Sequence, residues 1–169
     1  MAYKTSQILT PNRLRRAAGE QMTTLSDPTY AIVKHSLVGI INGKVVPAEH
    51  FTAATYTDEA GARAAFKTNC FGIASVGTSV GEEKPIVCYW KGELELEIDA
   101  GSFIPGVDYT SLAWDSGNGN LMSQKWKAET AAPYLGRITK RSPMPDGEFG
   151  ATTTTIVAAY VDVALFRSQ

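Results

Sequence analysis

The stretch that most constrains this chain is Glu93-Leu94-Glu95-Leu96-Glu97-Ile98, where charged and apolar residues alternate without a break. Successive side chains of a strand point to opposite faces, so the pattern predicts one wet face of three glutamates and one core face of Leu94, Leu96 and Ile98. This run closes a longer unit that begins at Cys70. Phe71-Gly72-Ile73-Ala74-Ser75-Val76 is a short apolar run, residues 77–83 are rich in Gly, Thr and Ser, and residues 86–90 mix β-branched and aromatic side chains. With Gly92 read as a break, the unit predicts three successive strands.

The rest of the chain repeats this grammar. Residues 30–41 hold enough β-branched and aromatic side chains for one or two strands. Asn42-Gly43 then fits a type I′ hairpin turn, with Lys44-Val45-Val46 as the returning strand before Pro47. Thr57-Asp58-Glu59 reads as an N-cap followed by acids that suit the positive end of a helix, and residues 60–66 supply an alanine-rich helix with Lys67 near its end. A second hairpin is expected around residues 115–120, a strand at Tyr134-Leu135-Gly136-Arg137-Ile138-Thr139, and a Pro/Gly loop over 142–150. Residues 152–166 read as one long closing strand with Val157, Ala159, Val161, Val163 and Leu165 on a single face. Strands divided by turns around one short helix predict an all-β fold, a small β-sandwich or partly open barrel with an extended N-terminal arm.

A length of 169 residues suits one domain with a real core. The 44% hydrophobic and 20% charged composition excludes wholesale disorder, and a net charge of −1 gives no global reason to expect nucleic acid as a partner. Charge is informative only locally. Residues 1–28 carry Lys4, Arg13, Arg15 and Arg16 against Glu20 and Asp27, with Ile8, Leu9, Leu14, Met22 and Leu25 scattered in no sustained period. They are expected to form a basic arm, with one or two helical turns over 13–20, that orders on a partner; residues 29–169 are expected to form the β-rich domain. The N-terminus lacks a long apolar signal-peptide core, and no apolar run approaches the ~20 residues of a membrane span, so neither export by that route nor membrane insertion is expected. Cys70 and Cys88 could pair across neighbouring strands if the registers align, but a chain without a signal peptide favours two buried thiols.

Several stretches imitate chemistry. Gly77-Thr78-Ser79-Val80-Gly81 fits the G-x-S-x-G nucleophile elbow, which needs a helix directly after the serine and a histidine later in the chain. Here Pro85 leads into another strand, and His35 and His50 both precede Ser79, so a serine hydrolase is the least favoured reading. Residues 115–126 resemble a calcium loop only faintly, with Gly117 and Gly119 at ligand positions and Trp126 in place of the bidentate glutamate. His35, His50, Cys70 and Cys88 lack paired metal-ligand spacing, and a solvated strand face accounts for Glu93, Glu95 and Glu97. No phosphate-binding glycine loop is present. No catalytic residue, cofactor or metal is expected.

The order of features is more specific than any one of them. Asn69-Cys70-Phe71-Gly72-Ile73-Ala74 is followed by a Gly81-Glu82 turn leading into Ile86-Val87-Cys88-Tyr89-Trp90-Lys91-Gly92. Then come Gly106-Val107-Asp108-Tyr109, the hairpin from Trp114 to Asn120, Leu135-Gly136-Arg137-Ile138, and Val161-Asp162-Val163-Ala164-Leu165. Over residues 69–166 this succession resembles the head-decoration, or cement, proteins of tailed bacteriophages. The resemblance implies a non-enzymatic virion protein, often a trimer, that binds the major capsid protein on the outer capsid surface and reinforces the shell, with no nucleic acid or membrane partner. The arm supplies the expected capsid contacts: Arg13, Arg15 and Arg16, whose forked guanidinium groups suit carboxylates, and Ile8, Leu9 and Leu14. The alternative is a carbohydrate-binding or otherwise adhesive β-sandwich on a virion, using Trp90, Trp114, Trp126 and Tyr134.

Overall fold

The computed structural model describes residues 13–99, 109–130, 132–141 and 154–169. They form one sheet of nine strands: β1 (Arg13–Leu25), β2 (Leu37–Ile41), β3 (Lys44–Pro47), β4 (Cys70–Ala74), β5 (Pro85–Asp99), β6 (Tyr109–Asp115), β7 (Asn120–Glu129), β8 (Gly136–Arg141) and β9 (Thr154–Asp162). The all-β barrel-like expectation holds. Two turns follow directly from local chemistry. Asn42 and Gly43 take φ of 51° and 76°, the positive pair that a type I′ hairpin demands, and join β2 to β3. Asp115 accepts the N–H groups of Gly117 at 2.9 Å and Asn118 at 3.1 Å, which folds the β6–β7 hairpin back on itself.

The spine is β5. Gly92, expected to break it, instead stays paired on both edges, opposite Ala17 of β1 and Val161 of β9. A glycine held on both sides keeps its ladder hydrogen bonds, so two expected strands are one. Along one edge β5 pairs first with β4 and then with β9; along the other it pairs with β1 and then meets β7 in a single parallel bridge, Ile98 to Trp126. The sheet consequently closes twice. β1, β5, β4, β2 and β3 form one ring, sealed where the Asp27 N–H donates to Val45 O at 2.9 Å and the Thr24 hydroxyl to Gly43 O at 2.9 Å. β5, β9, β8, β6 and β7 form the other.

Each ring has its own filling. Val38, Val45, Phe71, Ala74, Ile86 and Cys88 pack together in the first, with Met22 of β1 against them. Leu94, Leu96 and Ile98 of β5 join Leu112, Leu121, Trp126, Ile138, Val157, Ala159 and Val161 in the second. Even-numbered residues of one strand thus serve both cores. The larger core continues under the first ring, where Leu37, Val46 and Ile73 meet Phe66 and Phe166 from two helices. Burying such a leucine or phenylalanine contributes about 1.5–3 kcal/mol relative to exposure, so these shared walls hold both rings.

The expected helix spans Glu59–Asn69, with the Asp58 carboxylate accepting the Gly61 N–H at 2.7 Å as its N-cap. A 3-10 turn at Ala48–His50 and a four-residue helix at Ala53–Tyr56 precede it. The closing run is not one strand. It ends at Asp162, whose carboxylate accepts the Leu165 N–H at 3.0 Å and caps a helix over Val163–Ser168, which turns Leu165 outward at 44% exposure while Val163 and Phe166 stay buried. Residues 13–20, read as possible helical turns, are strand, because β5 offers them an unpaired edge. The glutamate face is not uniformly wet either: Glu95 is buried at 7% exposure. Alternation fixes which side a residue takes, not what covers that side.

Cys70 and Cys88 are free and buried. The β4–β5 register sets Cys88 opposite Ala74 rather than Cys70. Burial pushes the Cys88 thiol up to about 12 and raises Cys70 as well.

Candidate interaction surface

The strand registers build one row across the outside of the second ring. Tyr109 of β6 lies opposite Arg137 of β8, Arg137 opposite Tyr160 of β9, Tyr160 opposite Glu93 of β5, and Glu93 opposite Arg16 of β1. Directly opposed residues share a face, so the registers of five strands line up aromatic, cation, aromatic, anion and cation positions in order. The Arg137 guanidinium carbon sits 5.9 Å from the centre of the Tyr109 ring, within cation–π range. Tyr134 stacks on the other partner of that contact, its ring centre 3.8 Å from that of Tyr109 and the planes 17° apart. Hydrogen bonding to Tyr109, and then burial, hold the Tyr134 phenol above the usual tyrosine range.

The row opens onto a groove of about 260 Å³ that also touches Asp162 and Leu165. Its floor depends on a close backbone approach, because a Cβ on Gly136 would stand 2.7 Å from Tyr160 O. Asp162 is held from two sides: it caps the closing helix, and it pairs with Lys91 at 3.3 Å. Tyr160 is 41% exposed and Leu165 44%, so both large side chains face water beside an exposed arginine. Chemically the groove offers planar ring faces, forked donors and one carboxylate, all on rigid paired backbone.

The structure separates the residues expected to form the contact surface. Ile8 and Leu9 lie outside the described residues. Arg13, Arg15 and Arg16 sit on β1, with Arg13 opposite Glu95, Arg16 opposite Glu93 and Arg15 at the register shift between them. Only Arg16 therefore falls in line with the tyrosine row. Leu14 packs against the larger core, and its N–H donates to His35 Nδ1 at 3.1 Å, so this side chain is engaged within the fold.

Of the aromatics considered for sugar binding, Trp126 is fully buried in the core, Trp90 and Trp114 are half-buried, and Tyr134 alone reaches the groove. Tyr109, Arg137 and Tyr160 are not among the contact residues expected from the sequence. The usable signal was their strand parity: each alternates with buried neighbours such as Thr110, Ile138 and Ala159. Ser79 lies in the loop between β4 and β5, exposed, with its N–H donating to Glu82 Oε2 at 2.7 Å and no helix following it. The Asp115 carboxylate is taken up by its own turn, including a 2.8 Å bond from the Asn118 amide. Among the described residues no three His, Cys, Asp or Glu side chains are grouped to hold a metal ion, and no helix is long and apolar enough to cross a membrane. Comparison with family models, with curated proteins and with solved structures gave no match.

Proposed function

We propose that the chain is a non-enzymatic structural protein that binds the outer surface of an assembled phage capsid and stabilises it. The capsid, and assembly as a trimer, come from the order of motifs shared with head-decoration proteins. The observation that carries the adhesive role is the row Tyr109–Arg137–Tyr160, with Arg137 and Tyr160 exposed, Tyr109 half-buried and exposed Leu165 beside it. Tyrosine and arginine are the residues in which interface energy concentrates, because each combines a large contact area with directional hydrogen bonding. Two rings sharing one spine suit this work. Paired backbone behind every member of the row means that little conformational entropy is lost on docking, and anything that binds the assembled shell but not its separated subunits stabilises the shell by mass action.

Mass spectrometry of purified particles tests the assignment. The protein should appear in mature capsids and be released without loss of the genome-bearing shell proteins; its consistent absence from particles rejects the proposal. The stacked Tyr109–Tyr134 pair favours one second reading, a carbohydrate-binding module, since flat aromatic faces stack on sugar rings. Glycan-array binding that disappears in Tyr134→Ala, together with no affinity for capsids, selects that reading instead.

A further inference from the structure

A second cavity lies away from the tyrosine row, between the Glu59–Asn69 helix, the closing helix and strands β6 and β7. It measures about 100 Å³ and is walled by Phe66, Leu112, Leu121 and Phe166. Arg63 lines it, and its guanidinium is only partly used. Nε donates to Glu59 Oε1 at 2.8 Å and Nη1 to Leu112 O at 2.9 Å, while Nη2 is shielded from solvent and has no hydrogen-bond partner. A buried donor without a partner is unfavourable, more so when charged, so Nη2 calls for an acceptor.

The charges around it decide which acceptor. Arg63 is balanced by Glu59, and Glu129, on the same cavity wall, is balanced by Lys127 at 2.7 Å. What is missing is a lone pair rather than a negative charge. A further anion would add an uncompensated charge beside these two balanced pairs. We infer that this cavity is a binding site for a small, neutral, mostly apolar molecule carrying one carbonyl oxygen, which meets Arg63 Nη2 while its hydrocarbon body packs against Phe66 and Phe166. The volume suits about four non-hydrogen atoms, since a dry cavity of about 150 Å³ accepts the six of a benzene ring. Largely apolar walls with a few placed polar groups are the ordinary construction of small-ligand sites.

The test is a set of ¹H–¹⁵N titrations of the full chain with three probes of one branched shape and about four non-hydrogen atoms: acetone, acetate and isopropylammonium. Acetone should give saturable shifts at the amides of Arg63, Phe66, Leu112 and Phe166, with affinity about tenfold above either charged probe. Arg63→Met should cancel that preference. Ala132→Leu, which fills the cavity from an exposed wall position and leaves Arg63 in place, should abolish binding without unfolding the chain. Tighter binding of acetate overturns the inference, as does the absence of saturable shifts with acetone, which would leave water as the occupant. Because none of this involves Tyr109, Arg137 or Tyr160, failure here leaves the capsid reading standing.

Discussion

Glu49 reaches across from the 3-10 turn to β7, where one carboxylate oxygen accepts both the N–H and the hydroxyl of Ser123, each at 2.7 Å. Ser123 is buried, so no water replaces that oxygen once it is removed. Hydrogen bonds to a charged acceptor contribute about 1.5–3 kcal/mol each, and a buried N–H left unpaired adds its own penalty. Glu49→Ala should therefore lower stability by roughly 3 kcal/mol, and Glu49→Gln by clearly less because its carbonyl oxygen still accepts. Urea denaturation of the two variants checks the order.

Adjacent positions on β5 make a sharper comparison. Leu96 is fully buried in the larger core and Glu95 is 7% exposed on the opposite side. Leu96→Asp places an unpaired carboxylate among Trp126, Val157 and their neighbours and should cost several kcal/mol, enough to unfold a domain of ordinary stability of about 5–15 kcal/mol. Glu95→Lys should also exceed the roughly 0.5 kcal/mol of a surface exchange, since it changes a buried group that has interactions of its own. A denaturant midpoint for Glu95→Lys equal to wild type would show that this side of β5 is open to water.

Strand β1 gives the third prediction. It runs antiparallel along β5 from Leu25 opposite Pro85 to Arg13 opposite Glu95, and Ser26 and Asp27 close the first ring. Deleting residues 2–26 strips one edge of the spine and uncovers Met22's neighbours in the smaller core. The melting midpoint should fall by more than about 10 °C, given that 1 kcal/mol corresponds to ~2–4 °C at this size. A truncated protein that melts like the full chain would mean β1 contributes nothing to the fold.

The boundary between what was legible and what was not follows from range. Elements set by neighbours in sequence were readable: the Asn42-Gly43 turn, the Asp58 cap, and the inward parity of Leu94, Leu96 and Ile98. Elements set by distant partners were not. Residues 13–25 have no strand pattern of their own and are strand because β5 pairs with them; Gly92 is continuous because Ala17 and Val161 hold it. The Asp162 cap was present in the sequence, yet the apolar parity on either side of it imitated an unbroken strand. The tyrosine row was invisible for the same reason, since Tyr109, Arg137 and Tyr160 are far apart in sequence and become neighbours only through two registers.

His50 supplies a pH prediction. Its Nδ1 is 2.9 Å from the Tyr30 hydroxyl, and burial holds its pKa below the usual histidine value, against a smaller opposing pull from Asp27. A depressed folded-state pKa means the unfolded chain takes up the proton first. The contribution is present above the unfolded value of about 6.5 and is lost as pH falls through the folded value. Imidazole NMR should give His50 a midpoint below 6.5, and the loss of thermal stability between pH 7 and 5 should be smaller in His50→Phe than in wild type. A midpoint above 6.5 would mean the Asp27 attraction outweighs burial.

The adhesive role within the capsid proposal stands on the tyrosine row, and co-sedimentation of this protein with capsids assembled from the proposed partner, the major capsid protein, tests the proposal most directly. Wild type should pellet with the shells to a fixed stoichiometry. The double variant Arg137→Ala with Tyr160→Ala, whose side chains are exposed and whose removal should leave the melting midpoint nearly unchanged, should bind at least about thirtyfold more weakly, as loss of a single interface anchor worth ~2 kcal/mol already predicts. Equal pelleting of wild type and double variant would contradict the role given to the row, and no pelleting of either would contradict the function itself.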